Sequence, residues 1–358
     1  MIGHGHILTD MEDAAMGLQE RLDAGPIICA EGYVFELERR GYVQAGPFVP
    51  EVVLEAPAAV AALHREFVQA GSDVVEAFTY YAHREKLRAV GREDDLERLN
   101  RSALAIAAEV AAESNALFAG NICNTNLFEP DDPATHLLAQ AMFEEQVGWA
   151  ADAGVDYVIA ETFPFCEEAL VAVEEVTQAG LPCVATLAIF REPSTFDGVA
   201  VTEACKRLAD AGAAVVGLNC MRGPQTMLPL LGPIVAAVDV PVAALPVPYR
   251  TTEATPAFVS LCDAGYPSPP GGRAFPTALD PLLCNRYEIA DFTISAAALG
   301  VRYFGLCCGA GPHHIRSMAE ALGRTPPASR YSPDMASHAL LGNAERATRA
   351  RARHEQRL

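Results

Sequence analysis

The chain has 358 residues, 51% hydrophobic and 20% charged, with a formal net charge of −20. That is enough for one large core or two ordinary ones. The charge repels an extended phosphate backbone and excludes nucleic acid as a partner, and no segment reaches the roughly 18 consecutive apolar residues of a membrane span.

The N-terminus, Met1-Ile2-Gly3-His4-Gly5-His6-Ile7, has neither the basic start nor the apolar stretch of a signal peptide, so a cytoplasmic protein is expected. His4 and His6 are read as surface at a frayed end, not as a metal pair. Short apolar runs rich in β-formers follow at 26–30, 73–80, 116–122, 155–163, 182–189, 213–220, 240–246 and 301–308. Amphipathic helical patterns lie at 58–70, 92–114, 135–153, 167–178, 201–211, 225–238, 286–299 and 312–322. Eight strands alternating with helices predict an α/β fold, a (β/α)8 TIM barrel spanning 1–323, with its active site at the C-terminal ends of the strands. The Pro- and Gly-rich insertion 250–285 exceeds an ordinary connection and is expected to cover the barrel mouth. A C-terminal arm, 324–358, carries Arg346, Arg349, Arg351, Arg353 and Arg357 and is expected to be a solvated helix or to lie at a subunit interface.

Ten cysteines in a reducing compartment remain thiols, and most are expected in the core. Three differ in position. Cys220 closes the sixth apolar run, in Gly217-Leu218-Asn219-Cys220, and Cys307 and Cys308 close the eighth, in Gly305-Leu306-Cys307-Cys308-Gly309. Strand ends six and eight face one mouth, so three thiolates can converge on a soft metal and leave a fourth position open, as in a catalytic zinc site. Adjacent cysteines on a strand point to opposite sides, so both ligate only if the chain turns at the strand end, which Gly309, Gly311 and Pro312 allow. Gly217 and Gly305 are read as permitting a bend. A thiol substrate is the natural fourth ligand, because zinc deprotonates it. Spacing alone leaves core thiols, a redox couple and a zinc hydrolase as alternatives.

The segments 31–42, Ala45-Gly46-Pro47-Phe48 and His64-Arg65-Glu66-Phe67, with Gly-Leu-Asn-Cys and Cys-Cys-Gly followed by His314-Ile315-Arg316, resemble the zinc-dependent homocysteine S-methyltransferases, most closely their betaine-dependent branch. The similarity runs from about residue 14 to 323 and weakly through 349–353. The resemblance implies a barrel enzyme that moves a methyl group from an onium donor, a quaternary ammonium or a sulfonium, to homocysteine sulfur. It implies Zn2+ on Cys220, Cys307 and Cys308, with Glu161, and Glu31 where the family has an aspartate, at the homocysteine amino group. Asn219 orients the site, and a homodimer is the implied assembly.

The donor side departs from that pattern. Tyr81 matches an aromatic residue of the betaine site, but Phe48 stands where betaine enzymes have tryptophan and Thr162 where they have tyrosine. Onium methyl groups are held by aromatic faces, so the altered cage points to a sulfonium or another methylated amino acid alongside betaine. Tyr33 and Phe163 are read as core. His83, His313 and His314 are not counted as metal ligands, and His313 or His314 is expected to cap the last helix.

Overall fold

In the computed structural model, residues 16–263, 265, 272–338, 342, 349 and 351–354 are described. His4, His6, Arg346 and Arg357 lie outside them. Eight parallel strands close into a barrel in sequence order: β1 (Ile27–Ala30), β2 (Val74–Glu76), β3 (Leu117–Cys123), β4 (Tyr157–Phe163), β5 (Cys183–Leu187), β6 (Val215–Asn219), β7 (Val242–Leu245) and β8 (Tyr303–Leu306). Every strand residue is buried, because helices cover the outside and side chains fill the inside.

The main helices are α1 (Leu18–Ala24), α2 (Tyr33–Arg39), α3 (Val52–Glu55), α4 (Pro57–Ala70), α5 (Arg84–Ala89), α6 (Leu96–Ser114), α7 (Pro133–Ala153), α8 (Cys166–Gln178), α9 (Val201–Asp210), α10 (Pro224–Ala237), α11 (Arg286–Leu299) and α12 (Pro312–Ala321). The eight helices expected from the sequence are present within a few residues of their predicted ends. α1, α2, α3 and α5 are additional. α1 precedes the barrel, and its Leu18 and Leu22 join the inner core of Ile27, Tyr157 and Tyr303. The second predicted strand stops early at Glu76, and the chain turns out of the sheet before Tyr81, whose φ is 59°.

The barrel interior is layered by the two-residue period of a strand. Cys29, Val74, Ala119 and Ile159 belong to the inner apolar layer. One pleat further on stand Glu31, Glu76, Asn121 and Glu161, and Asn219 and Cys307 follow Gly217 and Gly305 in the same way. All six are buried. Gly217 and Gly305 do not bend their strands. A Cβ on Gly217 would lie 2.0 Å from the Ala243 carbonyl oxygen, and one on Gly305 would lie 2.1 Å from that of Cys29, so these glycines allow close strand approach.

The insertion after β7 reaches back to the mouth. Phe258 donates its N–H to the Met221 carbonyl at 2.7 Å, and Ala257 bridges to Arg222. The first residues of the arm are fastened to the barrel. Arg324 pairs with Asp73 at 2.5 Å and also donates to the Pro26 carbonyl, while Ser329 donates to Glu320 at 2.8 Å.

Candidate active site

The site is assembled where strands end and backbone reverses. Cys220 directly follows β6 with φ of 54°, and its N–H donates to the Leu245 carbonyl at 3.0 Å. Cys307 follows β8. Its N–H donates to Pro246 at 3.0 Å, and its carbonyl accepts from Ala310 at 3.1 Å, closing the turn that aims both neighbouring thiols at one point. Gly309 takes φ of 95°, and any Cβ there would strike the Tyr249 ring. The expected turn is therefore present. The three sulfurs lie within 4.8 Å of one another, with Cys307 and Cys308 at 3.9 Å. Hydrogen bonds from Cys307 and Cys308 hold the Cys220 thiol well below its ordinary pKa, and in return the Cys220 thiolate keeps the other two protonated in the absence of a cation. Three soft, buried sulfurs within reach of one point, one of them already held as a thiolate, form a metal-competent group.

Beside the sulfurs lies a narrow cavity of about 10 Å³ whose lining includes Glu31, Glu76, Glu161, Tyr80, Cys307 and Cys308. Asn219 organises it. Its amide nitrogen donates to Glu161 Oε2 at 2.7 Å, to Thr162 Oγ1 at 2.8 Å and to Glu31 Oε2 at 3.3 Å, and reaches Cys307 Sγ at 4.0 Å. Its carbonyl oxygen accepts from the Thr162 N–H at 3.0 Å. Asn121 Nδ2 donates to Glu161 Oε1 at 2.7 Å and also to Glu76 Oε1. Burial pushes the Glu161 carboxyl up to about 7, and burial together with the neighbouring Glu161 charge pushes Glu31 and Glu76 well above the carboxylate range.

A second cavity of about 320 Å³ opens over the ends of β2 to β6, lined by Tyr80, Tyr81, Thr162, Phe165, Phe196 and Met221 among others. Tyr80 is common to both cavities. The Tyr81 ring packs on Tyr80 at 4.3 Å and carries the Lys86 ammonium 4.0 Å from its centroid, so its face already accepts a cation. Phe48 instead stacks on Phe35 at 5.4 Å, in a separate ring cluster with Phe258 and Phe275. Seven non-glycine residues among those described have positive φ. Two are asparagines, and the other five are Phe48, Tyr81, Thr162, Cys220 and Met221. Strain of about 1–3 kcal/mol at such a position persists only where surrounding contacts enforce it, and for β-branched Thr162 it is a true outlier.

Tyr33 is core, with its hydroxyl 3.2 Å from His64 Nδ1 on one side, though it also borders the inner cavity. Phe163 packs on Phe143. His314 Nδ1 accepts from the Gly311 N–H at 3.2 Å at the start of α12, the expected capping role, and His83 accepts from Lys86 N at the start of α5. Glu76 and Asn121 are site residues that the sequence analysis passed over. Their signal was a polar residue in phase with Val74 and Ala119 near the end of an otherwise apolar strand.

A closed parallel barrel whose mouth gathers three thiols and three carboxylates defines the class: a (β/α)8 enzyme scaffold with a thiol-rich, metal-competent centre. The chain belongs to the homocysteine S-methyltransferase family, whose profile matches residues 28–322. It is 38% identical over 331 residues to betaine–homocysteine S-methyltransferase 1 of Xenopus tropicalis, covering 88% of this chain and 79% of the relative. It is 36% identical over 322 residues to the rat S-methylmethionine–homocysteine S-methyltransferase BHMT2, covering 87% and 83%. The metallated form of the homocysteine methyltransferase MmuM from Escherichia coli superposes with a TM-score of 0.66 over 85% of this chain and 99% of that chain, at 20% identity, a likeness of fold.

Glu168, on the outer cavity, accepts from Thr125 N at 2.7 Å and Thr125 Oγ1 at 2.6 Å, while burial raises it to about 7. A carboxyl raised in the folded state holds a proton that the unfolded chain releases, so folding stability falls as pH rises from about 4.3 toward 7. Glu168→Gln keeps the accepting oxygen without the charge. Urea melts are expected to show the variant about 1–3 kcal/mol more stable than the parent at pH 8 and no gain at pH 4.

Proposed function

We propose that this chain transfers a methyl group from an onium donor to the sulfur of homocysteine, giving methionine, with Zn2+ held by Cys220, Cys307 and Cys308. The observation that carries it is the convergence of three thiols beside a buried acidic cavity. Tetrahedral Zn–S bonds of about 2.3 Å place sulfurs about 3.8 Å apart, and Cys307 and Cys308 stand at 3.9 Å. Zinc bound there keeps a substrate thiol deprotonated at neutral pH. Glu31 and Glu161 face the substrate amino group, and Asn219 fixes both carboxylates. In the reaction the substrate sulfur pair forms the new S–C bond as the donor's methyl bond breaks. The electron pair stays on the donor nitrogen or sulfur, which leaves neutral.

Tyr81 lies on the donor side, and the outer cavity gives room for a methylated ammonium or sulfonium. Phe48 packs on Phe35 and is not among the residues lining this cavity, and Thr162 opens space that a larger ring would fill. Among the described residues no helix is long and apolar enough to cross a membrane, and we place the protein in the cytoplasm. A homodimer fits the surface: Tyr287 and Ile294, two turns apart on one face of α11, are exposed by 68% and 55%. Sedimentation equilibrium is expected to give twice the mass of the chain, and a monomer at micromolar concentration overturns the dimer.

Zinc-loaded protein mixed with homocysteine and a panel of methylated ammonium and sulfonium compounds is expected to produce methionine. Cys220→Ala should lose the metal, read by elemental analysis, and all methionine formation; retention of both refutes the assignment. Tyr81→Ala should raise the donor KM by roughly tenfold, about 1–2 kcal/mol of lost cation–π contact, while the homocysteine KM holds steady. Equal changes in both constants count against a donor role.

A further inference from the structure

Glu76 is 3% exposed and lines the inner cavity. Its Oε1 accepts from Asn121 Nδ2, while its Oε2 has no partner. Glu31 is in the same condition: Oε2 accepts from Asn219 and buried Oε1 is unpartnered. Asn121 Oδ1 is a third buried acceptor left open. Both Glu161 oxygens, in contrast, already accept hydrogen bonds, Oε1 from Asn121 and Oε2 from Asn219 and Thr162. Among the described residues no lysine, arginine or histidine lines this cavity.

Buried carboxylate oxygens without donors are costly, and a donor-bearing cation removes the cost. A primary ammonium carries N–H donors only, and charge-assisted N–H···O bonds run at about 2.7–2.9 Å. The N–H bonds of an ammonium diverge tetrahedrally, so one nitrogen bridges acceptors about 4.6 Å apart, and carboxylate oxygens of Glu31 and Glu76 lie within 4.8 Å of each other. Cys29 Sγ shares that spacing, but it stands one pleat deeper in the apolar layer with Tyr157 and Tyr303. We propose that Glu76 is a substrate-binding and specificity residue, whose free oxygen, with that of Glu31 and with Asn121 Oδ1, receives the primary ammonium of an aminothiol. This rests on the homocysteine reading and adds to it. The pocket selects thiols by their amino group, and an amine-free thiol carboxylate meets three carboxylates and no cation.

The test is calorimetric binding to the zinc-loaded protein of L-homocysteine and of 4-mercaptobutanoate, the same chain of atoms without the amine. The parent is expected to bind homocysteine the more tightly. Glu76→Gln, nearly isosteric, should weaken homocysteine by about tenfold or more and leave 4-mercaptobutanoate unchanged or tighter, with the zinc content and thermal transition retained. Asn121→Ala should move the same ratio in the same direction. An unchanged homocysteine affinity in Glu76→Gln overturns the proposal, as does an equal loss for both thiols, which marks a structural role. A second equivalent of metal in the parent that Glu76→Gln removes overturns it in favour of a metal site, and a parent that binds neither thiol overturns it outright. Tight aminothiol binding lost in Glu76→Gln, but without methionine from any onium donor, removes the methyl-transfer reading and leaves the ammonium receptor standing.

Discussion

Negative charge concentrated where water is excluded is the constraint on which the rest of this structure depends. Glu31, Glu76 and Glu161 and the sulfurs of Cys220, Cys307 and Cys308 are all buried around one mouth, and among the described residues no basic side chain lines the inner cavity beside them. A protein interior tolerates such a group only when it is neutralised, hydrogen-bonded or paired with a cation. Asn121 and Asn219 supply part of the answer by donating to the carboxylates. The remaining free oxygens and the shared protons of the thiols set a demand that the proposed metal and substrate ammonium would meet. Binding and stability thus draw on the same electrostatic imbalance.

The backbone around that charge is held in conformations that side-chain-bearing residues avoid. Glu161 and Thr162 meet Asn219, and Thr162, at the irregularity within β4, and Cys220, directly after β6, take the left-handed region. Tyr81 and Phe48 do the same in the loops that follow β2 and α2. Such strain is stored where the scaffold is rigid enough to enforce it. Here the enforcement comes from strand pairing on both sides, with Gly217 and Gly305 packed flat against neighbouring backbone. The metal-competent sulfurs and the aromatic wall of the outer cavity are consequences of one device: a stiff barrel ending in strained turns.

Much of this was legible in the residues. Apolar runs separated by amphipathic helices have one compact arrangement at this count, so the barrel and the shared mouth of strands six and eight followed from periodicity. Cysteines at the ends of buried strands stood out because nothing there requires sulfur. Glu76 and Asn121 were equally visible in principle, as polar residues in phase with the inner layer. They escaped because each looks, on its own strand, like an ordinary strand end. The helices α2 and α5 were missed because they occupy loops that a simple strand–helix alternation leaves empty.

What the sequence determined by itself is the alternation of elements, the family and the three thiols, since local periodicity and residue chemistry encode all of them. Tertiary structure alone decided which groups meet. Asn219 joins Glu31, Glu161 and Cys307 across strands separated by up to 188 positions, and Phe48 turns to Phe35 while Tyr81 joins Tyr80 and Lys86. These pairings depend on barrel closure and strand register, which bring distant residues to one level only after the whole sheet has formed. For the same reason the free oxygens of Glu31 and Glu76 could not be foreseen, because a missing hydrogen bond is a property of the packed neighbourhood and not of any segment.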